Sequence, residues 1–164
     1  MISAYRSRMR NFKRFAKENM RYSEIDLQTE DIMWFAVDKC NHVLAFTSGG
    51  CGNVPEFICR SREDTELLET FFMEKLSKSA EGVLFIDSDG SPLAEDSVSL
   101  AEKGIYSYDV SFDDKHKGEY IQIAAPKIPL QAEQLPDEIR KILMDHKISA
   151  NAAADKYLRV EHAY

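Results

Sequence analysis

The chain has 164 residues, 44% hydrophobic and 30% charged, which suits one folded domain with a sizeable core and argues against a disordered chain. Its net charge of −7 is uneven: residues 1–21 carry seven basic groups against one acid, while the remainder carries 14 basic against 27 acidic groups. That acidic body repels nucleic acid and anionic membranes and suits basic partners. No apolar run approaches the roughly 18–20 residues that cross a bilayer, and residues 1–21 lack the apolar core of a secretory signal, so a cytoplasmic protein is expected.

In chain order, Ile2, Tyr5, Met9, Phe12, Ala16 and Met20 recur at three- and four-residue steps, with Phe15 beside them. They predict an amphipathic helix within 1–22, its other face filled by arginines and lysines, lying either against the body or at its periphery. Segment 23–31 reads as a polar connection. Ile32 to Asp38 and His42 to Phe46 are β-prone runs around a short polar break, which predicts a hairpin. The first run is apolar on both faces and predicts a central, covered strand. Residues 47–55 form a glycine loop, read as leaving an edge strand.

Ser61 opens S-R-E-D, a helix-capping pattern, and Leu67, Leu68, Phe71, Phe72 and Leu76 mark a helical face to about residue 78. Val83 to Ile86 predicts a strand, 93–103 a short helix, and 105–112 and 120–125 two strands joined by an exposed hairpin loop. Pro136 suits a helix start, with Ile139, Ile142 and Leu143 buried. Residues 151–157 predict a last helical turn or two. The expected fold is one α+β domain over 1–164, a mainly antiparallel sheet built from hairpins and packed against two or three helices.

Four features could carry chemistry. The run Val83-Leu84-Phe85-Ile86-Asp87-Ser88-Asp89-Gly90-Ser91 resembles the first motif of haloacid-dehalogenase-like phosphotransferases, which implies Asp87 as nucleophile and Asp89 as general acid/base, with Mg²⁺. That motif opens its family's chains, however, and the βα series that carries the family's other motifs is not found here. A strand-ending turn accounts for Asp-Ser-Asp-Gly without catalysis. A calcium loop fails on spacing, since Gly90 stands fourth and not sixth.

The second feature is Ser48-Gly49-Gly50-Cys51-Gly52. It could form an anion nest, or present Cys51 as a nucleophile to His42, His116, His146 or His162, but no Lys-Ser/Thr follows to complete a phosphate-binding loop. A loop shaped for structure or partner contact needs none of these. The three cysteines, Cys40, Cys51 and Cys59, have neither an even count nor CxxC spacing, so reduced thiols are expected. The third feature, the basic helix, could meet nucleic acid or lipid. The fourth is acidity: Glu63, Asp64, Glu66, Glu69 and Glu74 on one helix, Asp113, Asp114 and Glu119 in a loop. Such charges form either a solvated face or a docking surface for a basic protein.

Asp31-Ile32-Met33-Trp34-Phe35-Ala36-Val37-Asp38, then Val43-Leu44-Ala45-Phe46-Thr47-Ser48-Gly49-Gly50 and Gly52-Asn53-Val54-Pro55, resembles a pattern in small bacterial proteins of the toxin-immunity type. The resemblance implies a compact, acidic, cytoplasmic, non-catalytic protein that caps a toxin's active site. It assigns no role to any single residue. The expected function is therefore a non-enzymatic protein-binding domain that docks a basic partner through its acidic surface and the 47–55 loop. The expected contacts are Ser48, Gly49, Gly50, Cys51, Gly52 and Asn53 with Asp113 and Asp114. No catalytic residue, metal or cofactor is assigned. The alternatives are a Mg-dependent phosphotransferase using Asp87 and Asp89, or a nucleic-acid or lipid contact through the basic helix.

Overall fold

The computed structural model describes residues 20–79, 83–85 and 95–164. The expected basic helix (save residues 20–22), the Asp87–Asp89 motif and the first residues of the 93–103 helix lie outside them. Within them, β-prone runs form the strands the residue pattern favours. Strand β1 (Met33–Val37) pairs antiparallel with β2 (Val43–Thr47), Trp34 opposite Phe46 and Ala36 opposite Leu44. The turn between them is held by Asp38, whose Oδ1 accepts the N–H groups of Cys40 at 2.8 Å and His42 at 2.9 Å.

Between this hairpin and the next lie several helices and one short strand. Helix α1 (Glu24–Thr29) precedes β1; α2 (Glu56–Cys59), α3 (Arg62–Thr70), a π-helical turn (Phe71–Lys75), β3 (Val83–Phe85) and α4 (Glu95–Glu102) follow β2. Strands β4 (Tyr106–Val110) and β5 (Tyr120–Pro126) form the second hairpin. A 3-10 turn (Ala132–Gln134), α5 (Asp137–Met144) and β6 (Tyr157–Leu158) complete the order.

The sheet runs β1-β2-β4-β5-β3, with β6 pairing the start of β5. Among the pairs of named strands, β2–β4 is parallel, Leu44 beside Tyr106 and Phe46 beside Tyr108, and the others are antiparallel. The fold is thus α+β with a mixed, mainly antiparallel sheet, as the hairpin pattern predicts. Strand β1 is covered on both faces but stands last in the order and not centrally. Its outer edge is occupied by residues 146–150: Val37 N–H donates to His146 O at 3.1 Å, and Ile148 N–H donates to Val37 O at 2.9 Å. The glycine loop leaves β2, an inner strand and not an edge one.

The two faces of the sheet pack differently. Phe35, Val37, Val43 and Ala45 meet Leu68, Phe72, Leu100, Ile139 and Leu143 from the helices. Trp34, Phe46, Tyr108 and Tyr120 form an aromatic face beneath the short helices α1 and α2, which contribute Leu27 and Ile58, and beneath irregular segments that contribute Val54, Ala152 and Val160.

Local chemistry explains the helix limits. Ser61 Oγ accepts the Asp64 N–H at 3.1 Å, so the S-R-E-D start of α3 is a cap. The α-helix stops at Thr70, short of the expected residue 78, and widens into the π turn. There the buried Lys103 Nζ donates to the carbonyls of Phe72 at 2.6 Å and Met73 at 2.9 Å. Burial and then Lys78 push the Lys103 amine below its usual range. Segment 23–31 is not a plain connection: Ser23 and Asp26 form a reciprocal capping box for α1, anchored by the buried Leu27. Residues 151–157 form a turn that leads into β6, not a helix.

Candidate functional site

Two loops meet at one end of the sheet. In the first, Ser48 is buried and shapes the turn: its Oγ accepts the Ile32 N–H at 2.9 Å, and its carbonyl accepts the N–H groups of Cys51 at 3.1 Å and Gly52 at 2.8 Å. Gly49 has φ +56° and donates its N–H to Asp31 Oδ1 at 2.7 Å. A Cβ on Gly52 would lie 2.6 Å from Tyr120 Oη, so this position admits glycine alone without movement. Gly50 is half-buried and Cys51 exposed.

Asn53 ties the first loop to two others. Its N–H donates to Gly118 O at 3.2 Å, its Nδ2 donates to Val160 O at 3.2 Å, and its carbonyl accepts the Tyr120 hydroxyl at 2.7 Å. The second loop, 111–119, joins β4 to β5. Ser111 Oγ accepts the Asp113 N–H at 3.2 Å, and Asp113 Oδ1 accepts the Lys115 N–H at 3.2 Å. His116 Nδ1 lies 2.8 Å from Glu119 Oε2, and Arg159 donates to Glu119 Oε1 from Nη2 at 2.7 Å and Nε at 2.9 Å. Those bonds, His116 first and Arg159 second, hold the Glu119 carboxyl below the usual carboxylate range.

Phe112 of the second loop is 78% exposed and faces the first: a Cβ added at Gly49 would lie 3.9 Å from its ring tip. Asp113 and Asp114 are exposed beside it. Asp31, hydrogen-bonded to Gly49, links this end to a band of acids. Burial raises the Asp109 carboxyl, the Val110 N–H opposes the rise, and Asp31 adds to it. Glu69 is raised by loss of solvation among its neighbours and then by the charges of Glu66, Asp31, Asp96 and Glu74. Asp31 thus adds to the rise of Glu69 on α3 and of Asp109 on β4 alike.

The histidines considered as partners for Cys51 are engaged elsewhere. His42 Nδ1 lies 3.2 Å from Asp38 Oδ2, His146 Nδ1 3.1 Å from Phe35 O, and His162 Nδ1 accepts the Val54 N–H at 3.1 Å. No hydrogen bond joins Cys51 to a histidine among the described residues. Cys40 is exposed, and Cys59 is buried with its thiol pushed up to about 11 by burial. Among the described residues no group of three or more His, Cys, Asp or Glu side chains could hold a metal ion, and no helix is long and apolar enough to cross a membrane.

Two features escape a reading of the sequence. Asp38 is fully buried and, besides its turn, accepts the Ala152 N–H at 3.0 Å, which binds the first hairpin to a segment 114 residues away. His146 is buried at the floor of a cleft beside α3 and α5. An aspartate placed just before a four-residue polar break is the one local signal for the former; none exists for the latter. Compared with protein-family models, curated proteins and solved structures, the chain gives no match.

Proposed function

We propose that this chain is a non-enzymatic protein-binding domain of the toxin-immunity type that docks a basic partner at the loop end of the sheet. The observation that carries the reading is Phe112, exposed where two hydrogen-bonded loops meet and accompanied by Asp31, Asp113 and Asp114. A large exposed aromatic inside a charged rim has the form of a binding hot spot. The carboxylates would speed encounter with a basic surface and set its orientation. Ser48 and Gly52 act from beneath, fixing the loop, while Gly49, Gly50, Cys51 and Asn53 offer backbone and side-chain atoms at the surface. Loops already held by Asn53 and Glu119 lose little freedom on binding.

Affinity capture with the tagged chain from host lysate tests the reading. One stoichiometric basic partner is expected, weakened by salt, with Phe112→Ala costing about 30-fold in affinity. A partner retained equally by Phe112→Ala and by the Asp113→Lys, Asp114→Lys pair would overturn it.

A further inference from the structure

A cleft lies away from the loop end and shares no residue with it. The start of α3 and the length of α5 border this cleft of about 680 Å³, with Phe57 and His146 among its lining. His146 is only 4% exposed, and its ring stacks on Phe57 with centroids 5.1 Å apart. Its Nδ1 lies 3.1 Å from the Phe35 carbonyl, which can only accept, so the ring proton sits on Nδ1. The other nitrogen, Nε2, is left with a lone pair and has no hydrogen-bond partner among the described residues. Burial lowers the imidazole pKa, which keeps the ring neutral at pH 7. Nε2 is thus an acceptor in a largely buried ring that lines a cleft, where a donor from a partner can replace water.

The surrounding charges say which donor. Asp64 from α3, Glu138 from α5 and Asp145 just after α5 line the same cleft, and no ion pair engages them among the described residues. Asp64 and Asp145 are near enough to act on the His146 ring, where Arg60 opposes them. Asp145 also stands at the C-cap of α5, where the helix dipole already favours positive charge. Arg60 and Lys141 complete the border and are placed to meet carbonyl oxygens of an incoming chain.

We infer that this cleft receives an arginine side chain of a partner protein, the guanidinium donating to His146 Nε2 and to the Asp64 and Asp145 carboxylates across the face of Phe57. Guanidinium fits better than ammonium because its planar fork can donate in several directions at once and can stack on an aromatic ring. The inference rests on the reading that the partner is a basic protein, and adds where one of its side chains is held. It carries a pH dependence: protonation turns Nε2 from acceptor to donor and adds a positive charge beside Arg60, so binding is lost on acidification.

NMR titration of the intact chain tests this without the partner. The probes are N-acetyl-arginine methylamide, the matching lysine derivative and inorganic phosphate, at pH 7.5 and 5.5. Saturable shifts of the His146 ring with the arginine probe are expected at pH 7.5, weaker with lysine and lost once acidification protonates the ring. Asp64→Asn with Asp145→Asn, both on the surface side of the cleft, should weaken the arginine probe about 10-fold, the loss of a charge-assisted bond. Saturation by phosphate with no response to arginine would overturn the inference, as would an arginine response unchanged in the double variant. Because Phe112 and Asp113 lie outside the cleft, failure here leaves the loop-end result separately readable.

Discussion

The two faces of the sheet are closed by different means. On the helical side, Phe35, Val37, Val43 and Ala45 meet helices that satisfy their own backbone hydrogen bonds, so shape is nearly all the sheet must supply. The aromatic side is roofed by irregular chain, whose N–H and C=O groups need partners from below. Polar tips there supply them. Tyr120 Oη donates to Asn53 O and accepts the Trp34 indole N–H at 3.3 Å. Gln122 Nε2 donates to Ala152 O and to Tyr108 Oη, both at 2.8 Å, and Tyr108 Oη donates to Asp155 O at 2.7 Å. Asp38 completes the set at Ala152 N–H. Stacking persists between those tips, with Trp34 and Phe46 centroids 4.0 Å apart and the rings within 8° of parallel. A core covered largely by loops must therefore hold more hydrogen-bonding atoms than one covered by helices, where Lys103 at the π turn is the counterpart.

Three experiments sharpen or break this contrast. The largest effect is expected on the helical face, where Phe72→Ala removes a fully buried ring and should cost about 3–5 kcal/mol in urea unfolding. A smaller loss would mean that α3 and the π turn collapse onto the gap. Next comes Asp38→Ala on the aromatic side, which leaves the N–H groups of Cys40, His42 and Ala152 without their acceptor. About 1–3 kcal/mol is expected, together with faster amide exchange at Ala152, 114 residues away in the chain. Unchanged exchange there would show that apolar contacts alone hold the irregular roof. The mildest effect is a pH dependence from His146. Its folded pKa lies below the ordinary 6.5, so the unfolded chain takes up its proton first. Stability is full above pH 6.5 and falls as pH drops toward the lowered folded value. His146→Gln should flatten that slope, and a slope left intact would assign it to other groups.

Much of this was legible in the residues. The β-prone runs at 33–37, 43–47, 106–110 and 120–126 place both hairpins, and Ser61 and Pro136 mark two helix starts. What could not be read depends on partners far away in the chain. The parallel β2–β4 contact is set by the packing of a 58-residue crossover (48–105) that no local pattern encodes. The apolar run of β1 signals cover on both faces, which it has, but not position in the sheet, because residues 146–150 occupy its outer edge. The Ala-rich stretch after Asn151 favours helix by propensity, yet pairing of Tyr157 and Leu158 with β5 prevails. In the candidate site the glycine loop was evident, whereas the burial of Ser48 and Gly52 follows from Ile32 and Tyr120, and His146 owes its environment to Phe35, 111 residues away.

Residues 146–163 run along the edge of β1, pass beneath the aromatic face, pair with β5 and return to Val54. During synthesis they leave the ribosome after every strand they protect. Until then Trp34, Phe46 and Tyr108 stand uncovered and the β1 and β5 edges are open to other chains. A nascent chain of this protein should therefore be most prone to self-association, and most dependent on chaperones, after β5 has emerged and before residues 146–163 have followed it.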